Sequence, residues 1–191
     1  MQTREHILDI AEQLFNIQGY TAVGVDLIAA QARVSKTSLY RLFGSKHQLI
    51  SAVLGRRHQR FAAAMMQAVE VAQTPGTKVV ALLRWHFEWF AQPGFYGCMF
   101  MHAVAEFKQS DSGLTAQAKA HKVWLNLLLR DLVQQSAQQG AAQSAIAGKA
   151  AMLLTLLEGM IISAEFGMLA AEAHYLAMAE WILNPVAASA A

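Results

Sequence analysis

DLIAAQARVSKTSLYRLFGSK, residues 26–46, is the stretch that decides how this chain folds. It reads as a short helix, a three-residue turn, a second short helix and the start of a third, with the motif proper over residues 24–43. Two short helices cross steeply only if small side chains lie at the crossing and apolar ones flank it in helical register. Ala29 and Ala30 stand at the crossing, and Ile28, Ala32, Val34, Leu39 and Leu42 fall where the pair faces inward. Ser35 is placed to cap the second helix, its hydroxyl toward the first-turn amides. Lys36, Thr37, Ser38, Tyr40 and Arg41 remain outward, each able to donate a hydrogen bond. Helices built this way form a helix-turn-helix unit, and the outward face suits duplex DNA.

Charge patterning points the same way. Residues 1–60 hold eight Lys and Arg against four acids, a balance of +4, and the remainder holds seven against nine, or −2. The whole-chain charge of +2 conceals this split. No Asp or Glu occurs between Leu27 and Val69, so the second motif helix and the long one after it are expected to offer a continuous positive field to a polyanion.

Working outward, the chain of 191 residues is long enough for a sizeable core, and 55% of it is hydrophobic with only three prolines. That composition predicts an all-α protein of about nine helices with a large buried interface. The helices are expected near residues 3–18, twice within 24–43, then 45–72, 78–90, 99–107, 114–138, 143–166 and 171–183, with Gly19 ending the first and Thr74-Pro75-Gly76 ending the fourth. Two domains are expected: a DNA-binding one over residues 1–60 and a larger ligand-binding and dimerisation one over 61–191. The single cysteine, Cys98, leaves no intrachain disulfide framework and points to a reducing cytoplasm. The chain enters an amphipathic helix at once, so no secretory signal is expected. Glu158 and Glu165 interrupt the longest apolar run, which argues against a membrane partner.

The eighth and ninth helices are apolar nearly all round and need covering on every side. Met152, Leu156, Gly159, Ile162 and Ser163, with Leu176, Ala179 and Ile182, are expected to form a four-helix seam between two identical chains. A two-fold protein would read an inverted repeat in double-stranded DNA, with half-sites about one helical turn, roughly 34 Å, apart.

The first sixty residues resemble the DNA-binding domain of the TetR family of one-component transcriptional regulators. The resemblance rests on Thr3-Arg4-Glu5, Ile7-Leu8, Ala11, Leu14-Phe15, Gly19-Tyr20, Ile28-Ala29, Val34-Ser35-Lys36, Leu39-Tyr40, Phe43, Ser45-Lys46 and Leu49. It implies the same dimer, with Lys36, Thr37 and Ser38 near base edges and Tyr40, Arg41 and Lys46 holding phosphates. Two positions depart from the family pattern. Arg33 stands where glycine usually supplies a left-handed turn, at a cost of about 1 kcal/mol but with a cation gained toward the DNA. Gly24 replaces the usual Ser or Thr cap, losing a hydroxyl.

Sensing is expected between residues 79 and 124. Trp85, Trp89, Phe100 and Trp124, with Met160, offer aromatic and thioether surface to a flat or apolar effector, and His102, Glu106 and His121 offer polar groups in apolar surroundings. The run from Gly97 to Phe107, then His121-Lys122 and Trp124, resembles the ligand domain of one TetR subgroup. Ordinary core packing is the competing reading of each aromatic residue. A half metal site at His102 and Glu106, an oxidation sensor at Cys98, and acid-base catalysis by the His and Glu set are weaker alternatives. No nucleophile elbow, phosphate loop or paired-carboxylate motif is present, so no enzyme, cofactor or metal is expected. The expected function is a ligand-released repressor; an activator of the same fold, or a helical ligand-binding protein or enzyme without DNA function, stands as the alternative.

Overall fold

A computed structural model describes residues 2–108, 112–137 and 141–184. Those residues form helices and no strand: α1 (Gln2–Gln18), α2 (Val25–Gln31), α3 (Lys36–Phe43), α4 (Lys46–Val71), α5 (Pro75–Phe90), α6 (Met99–Phe107), α7 (Ser112–Ser136), α8 (Gln143–Glu165) and α9 (Glu172–Leu183). α7 ends at Ser136; residue 138, its expected end, and the alanine-rich stretch from residue 185 fall outside the described residues.

The chain divides into two compact units. The first takes Met1–Phe61 together with Cys98–Lys122, and the second takes Ala62–Gly97 and Val123–Ala191. α6 and the start of α7 thus belong to the same unit as the N-terminal helices.

In the first unit, α1 packs on α2 and α2 on α3, and Ile7, Leu8, Ala11 and Phe15 of α1, Ile28 of α2, Leu39 of α3 and Leu49, Val53 and Leu54 of α4 are all buried. Gly19 closes α1 at φ 82, the left-handed conformation that ends a helix cheaply only at glycine. Tyr20 follows, fully buried, its ring 5.3 Å from that of Phe15 and 5.5 Å from that of Phe107. Its hydroxyl donates to the carbonyl of Met99 at 2.8 Å, which satisfies the one polar atom this ring brings into the core.

At the helix crossing, Ala29 and Ala32 are buried, whereas Ala30 is exposed. Leu42, also expected inward, is 38% exposed, because α3 turns Leu39 and Phe43 to the core and Leu42 falls on the flank between that face and solvent.

In the second unit, α5 begins at Pro75, three residues before its expected start. Thr74 caps it through the Thr77 amide, Thr77 reciprocates to the Thr74 amide, and Pro75 sits where a missing N–H costs nothing. The helix packs against α8 and α9 through Val79, Leu82 and Leu83. α8 turns Ile146, Ala150, Leu153, Leu157, Met160 and Ile161 inward. By length and composition α8 could cross a membrane; 39% of its most apolar window is buried inside the chain.

Candidate nucleic-acid interface

The reading helix α3 exists because both its ends are tied locally. Ser35 accepts a hydrogen bond from the Ser38 amide at 3.1 Å, and Ser45 accepts one from Gln48 at 3.1 Å at the start of α4. Between them Gly44 makes the bend at φ 75. In the turn before α3, Arg33 takes φ 55, the left-handed conformation expected there. Its side chain is exposed.

With about 100° per residue, Lys36, Tyr40, Thr37 and Arg41 fall in order on one arc of α3 about 140° wide. All four are exposed, while Leu39 and Phe43 fall on the neighbouring arc, just beyond Lys36, and are buried in the core. Ser38 is not on that arc: it is half-buried, and its amide and hydroxyl both engage Ser35. Lys36 pairs with Asp26 of α2, which raises the lysine pKa. Lys46 is half-buried and donates to the Thr21 carbonyl at 3.3 Å; burial lowers its pKa, with Glu106 opposing.

The unbroken positive field expected along α4 is not there. Arg56, Arg57 and Arg60 point at α1, where Glu12 takes Arg56 at 3.0 Å, Arg57 at 2.9 Å and Arg60 as well. Arg56 also reaches Asp9 at 2.7 Å and Glu5 at 3.3 Å. Burial alone would raise the Glu12 pKa, but the hydrogen bonds and charges of the three guanidiniums outweigh it, so the carboxyl is held below its ordinary range. Arg57 also lies 4.5 Å over the Phe61 ring. These cations join α4 to α1 and are neutralised there.

The residues expected to sense an effector separate between the units. Phe100, His102, Glu106 and His121 belong to the first, and Trp85, Trp89, Trp124 and Met160 to the second. Glu106 accepts from the Tyr20 amide at 2.9 Å, the Thr21 amide at 2.8 Å and the Thr21 hydroxyl at 2.7 Å. Partial burial works against ionisation, yet those three donors prevail and hold its pKa below the ordinary value. His121 is buried, stacked 3.8 Å from the Phe100 ring, with Nδ1 3.0 Å from Nδ1 of His58. Among the described residues no group of three or more His, Cys, Asp or Glu could hold a metal ion.

In the second unit, Trp85 and Trp89 stack 6.0 Å apart beside buried His86, and Trp89 meets Phe95 edge-on at 5.0 Å. Trp124 is half-buried and Met160 is sealed in the core. Trp85 also borders an open groove of about 540 Å³ between α4 and α5, floored by Ala64, Ala68 and Ala81 and edged by Arg84 and Glu88.

Of the residues expected at a chain-chain seam, Met152, Gly159 and Ile162 are exposed, Ser163 and Leu176 are half-buried, and Leu156, Ala179 and Ile182 are already covered within the unit. Met178 and Trp181, 51% and 59% exposed, were not among them. They line a shallow apolar depression of about 360 Å³ with Met152 and Ile182. Their spacing of three on α9 was the available signal.

A capped helix carrying a polar arc, set among described residues that form helices and no strand, defines a helix-turn-helix fold. Residues 7–53 match the profile of the bacterial regulatory proteins of the tetR family. Over 68 residues the chain is 40% identical to the HTH-type transcriptional activator FasR of Mycolicibacterium smegmatis, a stretch covering 36% of this chain and 31% of that protein. A TetR-family transcriptional regulator from Streptomyces coelicolor has a TM-score of 0.86 at 26% identity, over 96% of this chain and 95% of that one. A TetR transcriptional regulator from Chloroflexus aurantiacus shares the fold, with a TM-score of 0.82 at 21% identity over 96% and 95%. Residues 7–53 therefore carry a TetR-type regulatory domain, and the chain as a whole shares the fold of TetR-family transcriptional regulators.

Proposed function

We propose that this chain is a cytoplasmic, homodimeric repressor that leaves an inverted-repeat operator when a small apolar or aromatic effector binds. The observation that carries the reading is the exposed arc of Lys36, Thr37, Tyr40 and Arg41 on a helix capped at its start by Ser35. Thr37 and Lys36 would read base edges; Tyr40, Arg41 and Arg33 would hold phosphates, joined by Lys46 once it leaves the Thr21 carbonyl. Ser38 supports them through the cap.

The apolar face of Met152, Ile162, Met178 and Trp181 supports pairing with a second copy, since an exposed patch of large side chains costs solubility unless covered. The groove beside Trp85 supports an effector site within the second unit. Because α4 runs unbroken from the first unit into the second, a ligand favouring one tilt of that helix would change the spacing of the two reading helices. Effector and DNA would then weaken each other by a coupling of about 1 to 3 kcal/mol.

The test is duplex binding followed by fluorescence anisotropy over a range of salt. Counterion release predicts a slope of about −0.9 per phosphate contacted. A flat salt dependence would remove the DNA reading and leave a helical ligand-binding protein. Activation is a second reading, favoured by the activator name of FasR. In vitro transcription from a bound promoter separates the two.

A further inference from the structure

We propose that Glu106, on α6, is a positioning residue for DNA reading: its carboxylate fixes the Gly19–Thr21 turn, and through that turn the placing of α2 and α3 on the duplex. This rests on the DNA-binding function proposed above.

Three donors converge on this carboxylate, the amides of Tyr20 and Thr21 and the Thr21 hydroxyl, at 2.7 to 2.9 Å. All lie in the turn that carries the chain from α1 into the reading helices. Hydrogen bonds to a charged acceptor are the strong ones, and two of these fix backbone atoms rather than a mobile side chain. The fit is close: a Cβ at Gly19 would stand 2.8 Å from a Glu106 carboxylate oxygen, so the turn has no room to shift toward α6.

A second attachment lies at the other end of α6, where the Tyr20 hydroxyl donates to the Met99 carbonyl at 2.8 Å. Positions 99 and 106 of one helix are about 10 Å apart along its axis. Two anchors at that separation fix the rotation of the turn as well as its distance. Lys46 joins the cluster, donating to the Thr21 carbonyl from the start of α4, with the Glu106 charge acting on it. One carboxylate therefore sets the approach to α2 and the lysine nearest the end of α3.

The experiment uses the full chain and two probes: the duplex that the wild-type protein enriches from a randomised library, and poly(dI·dC). Glu106→Gln keeps the shape but turns an NH₂ toward donors. Its affinity for the enriched duplex should fall about tenfold, with poly(dI·dC) binding within about twofold and amide exchange faster at Tyr20 and Thr21. Glu106→Asp, which keeps the charge on a shorter stem, should fall between the two. Thr21→Val removes one of the three donors and carries the test should Glu106→Gln fail to fold; its loss should be smaller than tenfold and again confined to the enriched duplex. Equal losses on both probes, or faster exchange with unchanged specific affinity, overturn the positioning role. A wild-type protein that enriches no sequence overturns the DNA-binding function itself, whatever the Tyr20 and Thr21 amides do.

Discussion

Glu12→Gln tests the physics of the joint between α1 and α4. Three guanidiniums converge on this carboxylate, but they do not lose equally when its charge is removed. Arg60 is 52% exposed and can turn to water; Arg56 keeps Asp9 at 2.7 Å and Glu5 at 3.3 Å. Arg57 is 6% exposed, with Glu12 its one carboxylate partner among the described residues, so it is left as a buried, uncompensated charge. Breaking a buried pair from one side costs about 3 to 5 kcal/mol. The lower end applies because glutamine still accepts a hydrogen bond, giving about 3 kcal/mol. For a chain of this length that lowers the melting temperature by roughly 6 to 12 °C. Urea and thermal melts at one fixed protein concentration, needed because a dimer's stability depends on it, measure the loss. Adding Arg57→Met should recover most of it, since the orphaned charge is then gone. A loss under about 1 kcal/mol, or a double variant no more stable than Glu12→Gln, would refute the argument.

Arg33→Gly relieves a left-handed arginine at φ 55 and should stabilise the chain by up to about 1 kcal/mol while reducing the salt slope of DNA binding by about one unit; melts and anisotropy titrations check the two effects, and a destabilised variant contradicts the strain. Arg41→Ala should likewise flatten the salt slope, whereas Arg60→Ala should leave it unchanged because that cation faces Glu12; equal changes in the two titrations would mean α4 does face the duplex. Trp181→Asp, placing a charge at the centre of the apolar face of α9, should give a monomer of unchanged helicity by light scattering and circular dichroism; a persisting dimer would exclude that face as the seam. Glu12 and Glu106 both have pKa values below the ordinary 4.5, so their stabilisation is full above that pH and is lost as pH falls through their lowered folded values. Denaturant midpoints should drop below about pH 4.5, less so in Glu12→Gln, and a midpoint flat to pH 3 would contradict both assignments.

What could be read in the sequence was what short-range physics decides. The Ser35 cap, the left-handed Arg33 and the Gly19 terminus each depend on a few neighbouring residues, and each stands where the order of side chains predicts it. Pro75 was misplaced for the converse reason. Thr74-Pro75-Gly76 reads as a breaker, yet Thr74 and Thr77 cap each other and Pro75 becomes the first residue of α5. The acid-free stretch from 28 to 68 misled because a linear charge count cannot see partners 44 to 48 positions away in α1. The donors to Glu106 were hidden in the same way, lying 85 and 86 positions earlier. The apolar character of α8 and α9 was legible as composition without a phase, so the order of side chains did not separate buried Ala179 from exposed Met178 and Trp181.

The pairing of charges within the first unit changes how the duplex must be held. Of the eight cations in the first sixty residues, Arg4 meets Glu5, Lys36 meets Asp26, and Arg56, Arg57 and Arg60 meet α1. Lys46 is drawn to the Thr21 carbonyl, which leaves Arg33 and Arg41 without an ion pair among the described residues. Two such cations give a weak electrostatic grip in one chain, and weak non-specific binding is what lets base contacts decide the site. The Lys36–Asp26 pair is exposed on both sides, so it is worth little and a phosphate or guanine edge can compete for the lysine. In the proposed dimer, affinity would come from doubling the interface, which would tie the reading helix to the apolar face of α8 and α9 at the other end of the sequence. A monomer with an intact α3 would keep its base preferences and lose its hold, because two linked half-sites gain from effective concentration what each lacks in charge.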